Sequence, residues 1–564
     1  MGTVMNTEVI NFSSGMDTVK APHLIHPTEA LLLVNVNVRE GSLRSVPSLN
    51  ALRSVSGNHF IEFRQRVYAY NNFRAVAFMN NNMYWTDGSS SGKVLWDGRE
   101  LPLGIATPAS PLSISAGSSG PHKGDFKYTY TFYSTDTGIE SAPARLSPYL
   151  IVDEKAITVD GFAPFPKDGE GNDIANRYRL YRIGGYLPQF TLVAELESGN
   201  VPYTDSLDDT DIDGRILHTI RTEPPMEGLH DFVELKGRLF GSYGAKLYYS
   251  ALGNPDTWYS SNFFTMPDDI TGIAKSPAGL IIFGESFTYL LIGTAPENFR
   301  LKVMSNIIGC VARESIAYFG DNVLWLSKTG ICLANGYSIV GLTEDKIDLI
   351  NGIVPSSACV LNSVYYLHYR PILTPTETLY PSNELYPLGL SNLMSLSEGI
   401  IVLDFKRGNN YSYKLLNYKD VTSVGVLKDN VCAITASPDL HLSTMNVYAD
   451  AGVEQLTYVS PKYINGSFST LKEYEKIRIN FYGEFTIKVI FDSGEVVLEE
   501  KISSLAVGQR VELSNGNGAL FTEDSVVILG IPNNNNKSYS ITFAITGVGD
   551  IKSIQYSWKP RELP

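Results

Sequence analysis

The sequence predicts an all-β protein, a β-propeller interrupted by one inserted fibronectin-III-like β-sandwich and followed by a C-terminal β-sandwich. Three observations predict it. The 564 residues carry many β-formers and turn formers, with Tyr 33, Phe 25, Gly 48 and Pro 29, a mixture that favours pleated sheets and tight turns over helices. Short apolar runs separated by polar turns recur along most of the chain. One such unit repeats every 40 to 50 residues or so, the range of propeller blades. Divergent antiparallel barrels would give a similar pattern.

Residues 1–50 read as an extended arm, with Pro22 and Pro27 leading to the apolar run Leu31 to Val38 and a turn at Gly41. Residues 51–104 begin the propeller, with Phe60-Ile-Glu-Phe, Arg66-Val-Tyr-Ala-Tyr, Ala75-Val-Ala-Phe and Asn82-Met-Tyr-Trp at meander spacing. Residues 105–222 change texture. A Pro-, Gly- and Ser-rich run from Ala106 to Gly124 leads to the alternating strand Phe126 to Tyr133 and then to Arg177-Tyr-Arg-Leu-Tyr-Arg182. About seven short strands here predict the sandwich. Residues 223–446 resume the propeller, from Phe232-Val-Glu-Leu to Val424-Gly-Val-Leu. One small twisted sheet cannot bury both faces, whereas radial stacking buries them and leaves short edges. Residues 447–564 alternate strictly in Ile477-Arg-Ile-Asn-Phe-Tyr and Phe485-Thr-Ile-Lys-Val-Ile-Phe, a second sandwich. Thr343 to Asn351 is the best short helix candidate.

Composition excludes several functions. The net charge of −14 opposes coating of nucleic acid, which needs clustered Lys and Arg. Cys310, Cys332, Cys359 and Cys432 lie far apart in apolar runs and read as buried free thiols, suited to a reducing cytosol. Met1 to Phe12 has no basic segment before an apolar core, so no secretion signal is expected. The apolar stretch Gly279 to Gly293 is broken by Gly284-Glu-Ser286 and is too short and too polar to insert in a membrane.

Enzyme chemistry is not expected. The chain has no phosphate-cradling Gly-rich loop followed by Lys-Ser/Thr and no Gly-x-Ser-x-Gly elbow. A glycosidase needs two carboxylates across a cleft, and the sequence brings no particular pair together. His23 and His26 share a Pro-bounded arm and read as surface histidines. One motif has the shape of a metal site: Asp209-Thr-Asp211-Ile-Asp213-Gly214 matches the opening of a calcium loop. Its closing carboxylate is missing, because Ile220 stands there. Asp209, Asp211 and Asp213 are therefore candidate calcium ligands and calcium the one candidate cofactor, but an acidic linker leaving the insert is the favoured reading.

The order of these segments resembles the tail nozzle proteins of podoviruses, the tail tubular protein B-like family that includes packaged-DNA stabilisation proteins. Ser14-Gly-Met-Asp17 through Leu33-Val-Asn-Val-Asn-Val-Arg-Glu-Gly-Ser-Leu-Arg-Ser-Val-Pro47 is similar to the opening segment of that family. Phe126 to Pro143, Asn176 to Arg182 and Val201-Pro-Tyr-Thr-Asp205 resemble its inserted sandwich, and Leu239 to Trp258 a recurring blade edge. The resemblance covers residues 10 to 440 and is weaker beyond. It implies a virion structural protein, not an enzyme, assembled in the host bacterial cytoplasm and placed in the virion tail. A hexameric ring would sit below portal and adaptor proteins. It would extend the DNA channel, retain the packaged genome until ejection and anchor tail fibres or receptor-binding proteins. Genomic DNA would pass without tight binding. The alternative is a carbohydrate-binding adhesin or fibre-associated protein, with Trp85, Trp96, Trp258 and Tyr259 as sugar-stacking candidates.

Overall fold

The computed structural model describes residues 5–12, 14–17, 20–39, 41–168, 171–212, 214–218, 224–343, 353–371, 398–405, 412–418, 420–436, 439–445, 452–467, 469–504, 510–512, 518–520, 526–533 and 535–561. Among these the chain is all-β, and its helical turns are four three-residue 3-10 segments. The expected helix from Thr343 lies, past Thr343, outside the described residues.

The propeller is built from short strands that alternate with tight turns. Four-stranded meanders occupy Ala75–Met79 to Glu100–Pro102, Val233–Leu235 to Asn254–Thr265, Ile270–Ser276 to Arg300–Ser305, and Ala317–Phe319 to Ile339–Gly341. Ile353–Leu361 to Ser412–Leu416 forms a fifth. The last blade takes Val421–Leu427, Asn430–Thr435 and His441–Thr444 from late in the chain and its outer strand, Asn50–Ser54, from the beginning. The hairpin His59–Phe63 with Arg66–Tyr70 is wedged between that closing blade and the Ala75–Met79 blade. Phe60 packs on Cys432, Ile434 and Leu442, while Phe63 packs on Met83, Trp85 and Val94.

Apolar clusters between neighbouring blades hold the ring. Trp325 is fully buried against Phe283, with ring centroids 4.7 Å apart. Its indole N–H donates to the Gly309 carbonyl at 2.8 Å, so no polar atom of this large side chain is left bare.

Residues 113–205 form a five-stranded sheet with its own core. Instead of seven short strands in two facing sheets, the long strand Ser113–Tyr133 pairs first with Leu150–Asp160 and then with Arg177–Gly184. Phe126, Tyr128, Tyr130, Phe132 and Tyr178 fill one cluster. The Ser/Gly run before Phe126 is part of this strand. Small residues are needed there, because a Cβ on Gly120 would lie 2.4 Å from the Ala156 backbone nitrogen.

The first fifty residues do not form a free arm. Asn6–Ile10 pairs with Ile541–Arg561 near the other end of the chain. Leu32–Val34 bridges the outer strand of the fifth blade, Ser412–Leu416, to Leu456–Val459. One hydrogen-bonded sheet therefore runs from that blade into the terminal body. Two 21-residue strands, Leu471–Phe491 and Ile541–Arg561, pair along their whole length. At about 3.4 Å per residue each spans roughly 70 Å. Gly483 faces Gly549 midway, at φ 118° and 137°. These conformations suit glycine, and a bulge close by, between Asn480 and Phe481, lets the sheet bend so that both halves share one core.

Candidate functional site

Two polar sites stand out once side chains are placed, one in the insert and one on the propeller axis. The insert site is held by buried Arg182. Its Nη1 donates to Asp205 Oδ2 at 2.6 Å and its Nη2 to Asp209 Oδ1 at 2.5 Å. The Tyr128 hydroxyl donates to Asp205 at 2.7 Å, and His122 packs beside them. Burial alone would raise the Asp205 carboxyl. The His122 hydrogen bond, the Arg182 charge and the Tyr128 hydrogen bond outweigh it and hold Asp205 below its usual value.

This arrangement accounts for Asp209 of the calcium-like motif. One oxygen takes Arg182 and the other accepts from the Tyr186 backbone N–H at 2.7 Å. A cation there would face a guanidinium. Asp211 belongs to a 3-10 turn whose preceding Asp208 accepts from Thr210. Asp213 and Ile220 lie outside the described residues. Among the described residues no group of three His, Cys, Asp or Glu side chains converges on a common point. His23 and His26 are exposed, and His26 Nδ1 meets the Thr28 hydroxyl at 2.7 Å.

The aromatic candidates separate by burial. Trp258 is buried against Phe232, and Trp85 is buried in a blade interface, with the Arg74 guanidinium 3.3 Å above its ring. Tyr259 is half-buried. Trp96, 66% exposed, offers an open face. All four cysteines are buried and none is paired in a disulfide among the described residues. Burial pushes the Cys310 and Cys359 thiols up to about 12 and Cys432 to about 11, which keeps them protonated and unreactive.

The second site was missed by sequence reasoning. The innermost strands of the ring enclose a cavity of about 300 Å³. His59, Phe73, Asp231, Arg313, Tyr318 and Ser357 contribute to its wall. Asp231 is 4% exposed and accepts from the Ile273 backbone N–H, while its Oδ2 has no hydrogen-bond partner among the described residues. Burial pushes its carboxyl up to about 7, the Arg313 charge opposing that rise and Glu314 adding to it. Arg313 Nη2 donates to the Asp87 carbonyl at 3.2 Å, and its Nη1 is buried with no hydrogen-bond partner among the described residues. Tyr318 is 48% accessible at the centre of the ring, so the surface it offers is cavity wall. An acid inside the apolar context Leu229-His-Asp-Phe-Val233 is the one sequence signal that could have marked this place.

No family model and no curated protein matches this chain. Among solved structures, the chain is similar to the Pan2 WD40 domain of Neurospora crassa, at 8% identity and a TM-score of 0.27, covering 67% of this chain and 89% of that one. It is similar to Sqt1 of Saccharomyces cerevisiae, at 10% identity and a TM-score of 0.27, covering 71% and 99%. The N-terminal domain of Nup159 aligns at 10% identity and a TM-score of 0.23, covering 58% and 91%. The propeller itself is read from strand pairing: radial sheets closed by a strand from the far end of the chain.

Proposed function

We propose that this chain is a non-catalytic structural protein of a short-tailed bacteriophage tail, a nozzle subunit that forms a ring beneath the portal–adaptor complex. The observation that carries the reading is the continuous sheet from the propeller blade Ile353–Leu361 to Ser412–Leu416 through Leu32–Val34 into the terminal body. Backbone hydrogen bonds across that junction resist shear between the two bodies, as a part loaded by a pressurised genome requires. The order of segments that resembles the nozzle family adds to it, as does the net charge of −14, which disfavours phosphate binding.

The axial cavity bears on where DNA would run. A space of about 300 Å³ cannot admit a duplex whose major groove alone is about 12 Å wide. The channel would therefore be lined jointly by several copies, with the propellers arranged around it. Loops from those copies would narrow the channel and retain the genome, and outer faces would carry fibres.

Electron microscopy of the purified chain with and without a portal–adaptor complex tests the reading. A ring docked on the adaptor is expected. Failure to join that complex under all conditions would overturn it, and retention of the isolated chain on a glycan array would then favour an adhesin.

A further inference from the structure

One face of the inserted sheet lies on its core, and the opposite face carries an open apolar surface. Phe126 of the long strand pairs with Leu150 on one side and Gly184 on the other, and it points into the insert core. Side chains alternate along a strand, so Asp125 and Lys127, on either side of Phe126, point outward. Asp125 pairs with Ile151. Lys127 reaches Tyr149, just before the strand Leu150–Asp160, with its Nζ 3.7 Å from the centre of the ring. Tyr149 is 67% exposed and Ile151 is 78% exposed, where a half-buried antiparallel strand ordinarily presents polar residues.

Directly opposed residues share a face, so the open surface consists of two rows across the strands. One row reads Asp125 and Ile151, the next Lys127 and Tyr149. The surface ends beyond Lys127, because Thr129 is buried and donates to the Ala144 carbonyl at 2.8 Å. Among the described residues neither Asp125 nor Lys127 enters an ion pair, whereas the neighbouring Lys123 and Asp153 hold each other at 2.9 Å. One anion and one cation are thus left side by side at the edge of an apolar patch.

This layout is complementary to itself. A two-fold axis in the plane of the surface, crossing the strands at Phe126 and Leu150, turns a second copy over and exchanges its rows. Asp125 of each copy then faces Lys127 of the other, and Ile151 of each faces Tyr149 of the other. Sheets pack in this way at about 10 Å, with strand directions within about 30°. Other occupants fit less well. A membrane surface calls for an excess of Lys and Arg. A sugar calls for open aromatic faces, yet Lys127 takes one face of Tyr149 and Ile151 offers no ring.

We propose that two copies of this chain pair through this face of the insert, in an isologous contact that matches charge to charge and apolar side chain to apolar side chain. The pairing is a property of the free chain and does not rest on the tail reading.

Sedimentation equilibrium of the full chain, without portal or adaptor, tests the proposal. A monomer–dimer equilibrium is expected. Ile151→Asp should weaken pairing about tenfold or more. Asp125→Lys and Lys127→Asp should each weaken self-pairing about tenfold, since the first sets Lys against Lys and the second Asp against Asp. Mixed together, those two variants carry faces of opposite charge and should regain pairing close to that of the parent. Tyr337→Ala, exposed on a propeller blade, should change nothing. Circular dichroism checks that each variant keeps its fold. A parent chain that stays monomeric, pairing that survives Ile151→Asp, or a mixture that pairs no better than either variant alone would each overturn the proposal. Docking on a portal–adaptor complex is measured separately and bears on the tail reading alone.

Discussion

The inserted sheet and the terminal body are both β-structures added to one ring, but they are attached in opposite ways. The insert is local. Its strands and core fall within residues 105–217, and its two ends meet: a Cβ on Gly104 would lie 2.9 Å from the Pro224 side chain. The terminal body is non-local. It combines Asn6–Ile10 and Leu32–Val34 with strands beyond residue 450, and the same N-terminal segment supplies Asn50–Ser54 to close the ring. One addition can be removed without opening the ring, whereas the other cannot. Folding should reflect this, because pairings across more than 400 residues form only after a large loop-closure cost.

The largest expected effect is therefore a deletion. Removing residues 1–54 takes away the closing strand and the bridge to the terminal body together, and no cooperative unfolding transition should remain by circular dichroism. Excising residues 105–222 with a short Gly-Ser joint should leave a cooperative transition, and the excised piece should fold alone. An N-terminal deletion that still melts cooperatively would dissolve the contrast between the two attachments.

Single substitutions come next. Trp325→Ala empties an interface between blades and should cost about 3–5 kcal/mol in the ring transition. Arg182→Met leaves Asp205 buried and uncompensated, at about 3–5 kcal/mol, but the loss should fall on the insert alone. Urea unfolding followed separately in the whole chain and in the isolated insert distinguishes them. Loss of ring stability from Arg182→Met would mean that the insert is coupled to the propeller.

Acid should weaken the ring before the insert. His59 is held down to about 4 by burial and then by the Arg370 charge, and His368 to about 3 by burial, Arg370 and His59. Unfolded histidine binds its proton near 6.5. From there down to about pH 4 the unfolded chain takes up protons that the folded chain does not, so stability falls with pH. Asp231 acts in the opposite sense. Its raised carboxyl favours the folded state most in acid, and that contribution fades as pH rises towards 7. With two histidines against one aspartate, the net loss from about pH 6.5 to 4.5 should be about 2–3 kcal/mol. Denaturant midpoints at the two pH values measure it, and His368→Leu should remove most of the dependence.

What could be read from sequence follows the same division. The blades were legible because each is a local alternation of apolar runs and turns, as in Phe232 to Tyr249. Leu31 to Val38 was legible as extended, but its partners were not: nothing in Leu32-Leu-Val34 names Val459 or Leu415. The Ser/Gly run before Phe126 resembled a linker because its strand character comes from close backbone approach rather than from β-propensity. Asp209 was picked out for its spacing, yet its partner Arg182 is 27 residues away. The axial site was illegible because Asp231 and Arg313 belong to different blades and come to one pocket only when the ring closes.

The smallest expected effect separates an aromatic on the surface from those in the ring. Trp96 is 66% exposed, while Trp258 is 3% exposed and packs on Phe232. Trp96→Ala keeps the backbone N–H that donates to Asn82 Oδ1 at 3.0 Å, so nothing buried is lost. Its stability should stay within about 0.5 kcal/mol of the parent, against about 3–5 kcal/mol for Trp258→Ala. Urea midpoints of the two variants test the pair. If Trp96→Ala instead destabilised the chain as Trp258→Ala does, the exposed face would be covered by contacts in solution. A chain retained on a glycan array and released by Trp96→Ala alone, with its stability unchanged, would make Trp96 a sugar platform. That outcome would move the adhesin reading ahead of the nozzle, because a single open tryptophan needs no ring of copies to hold a sugar.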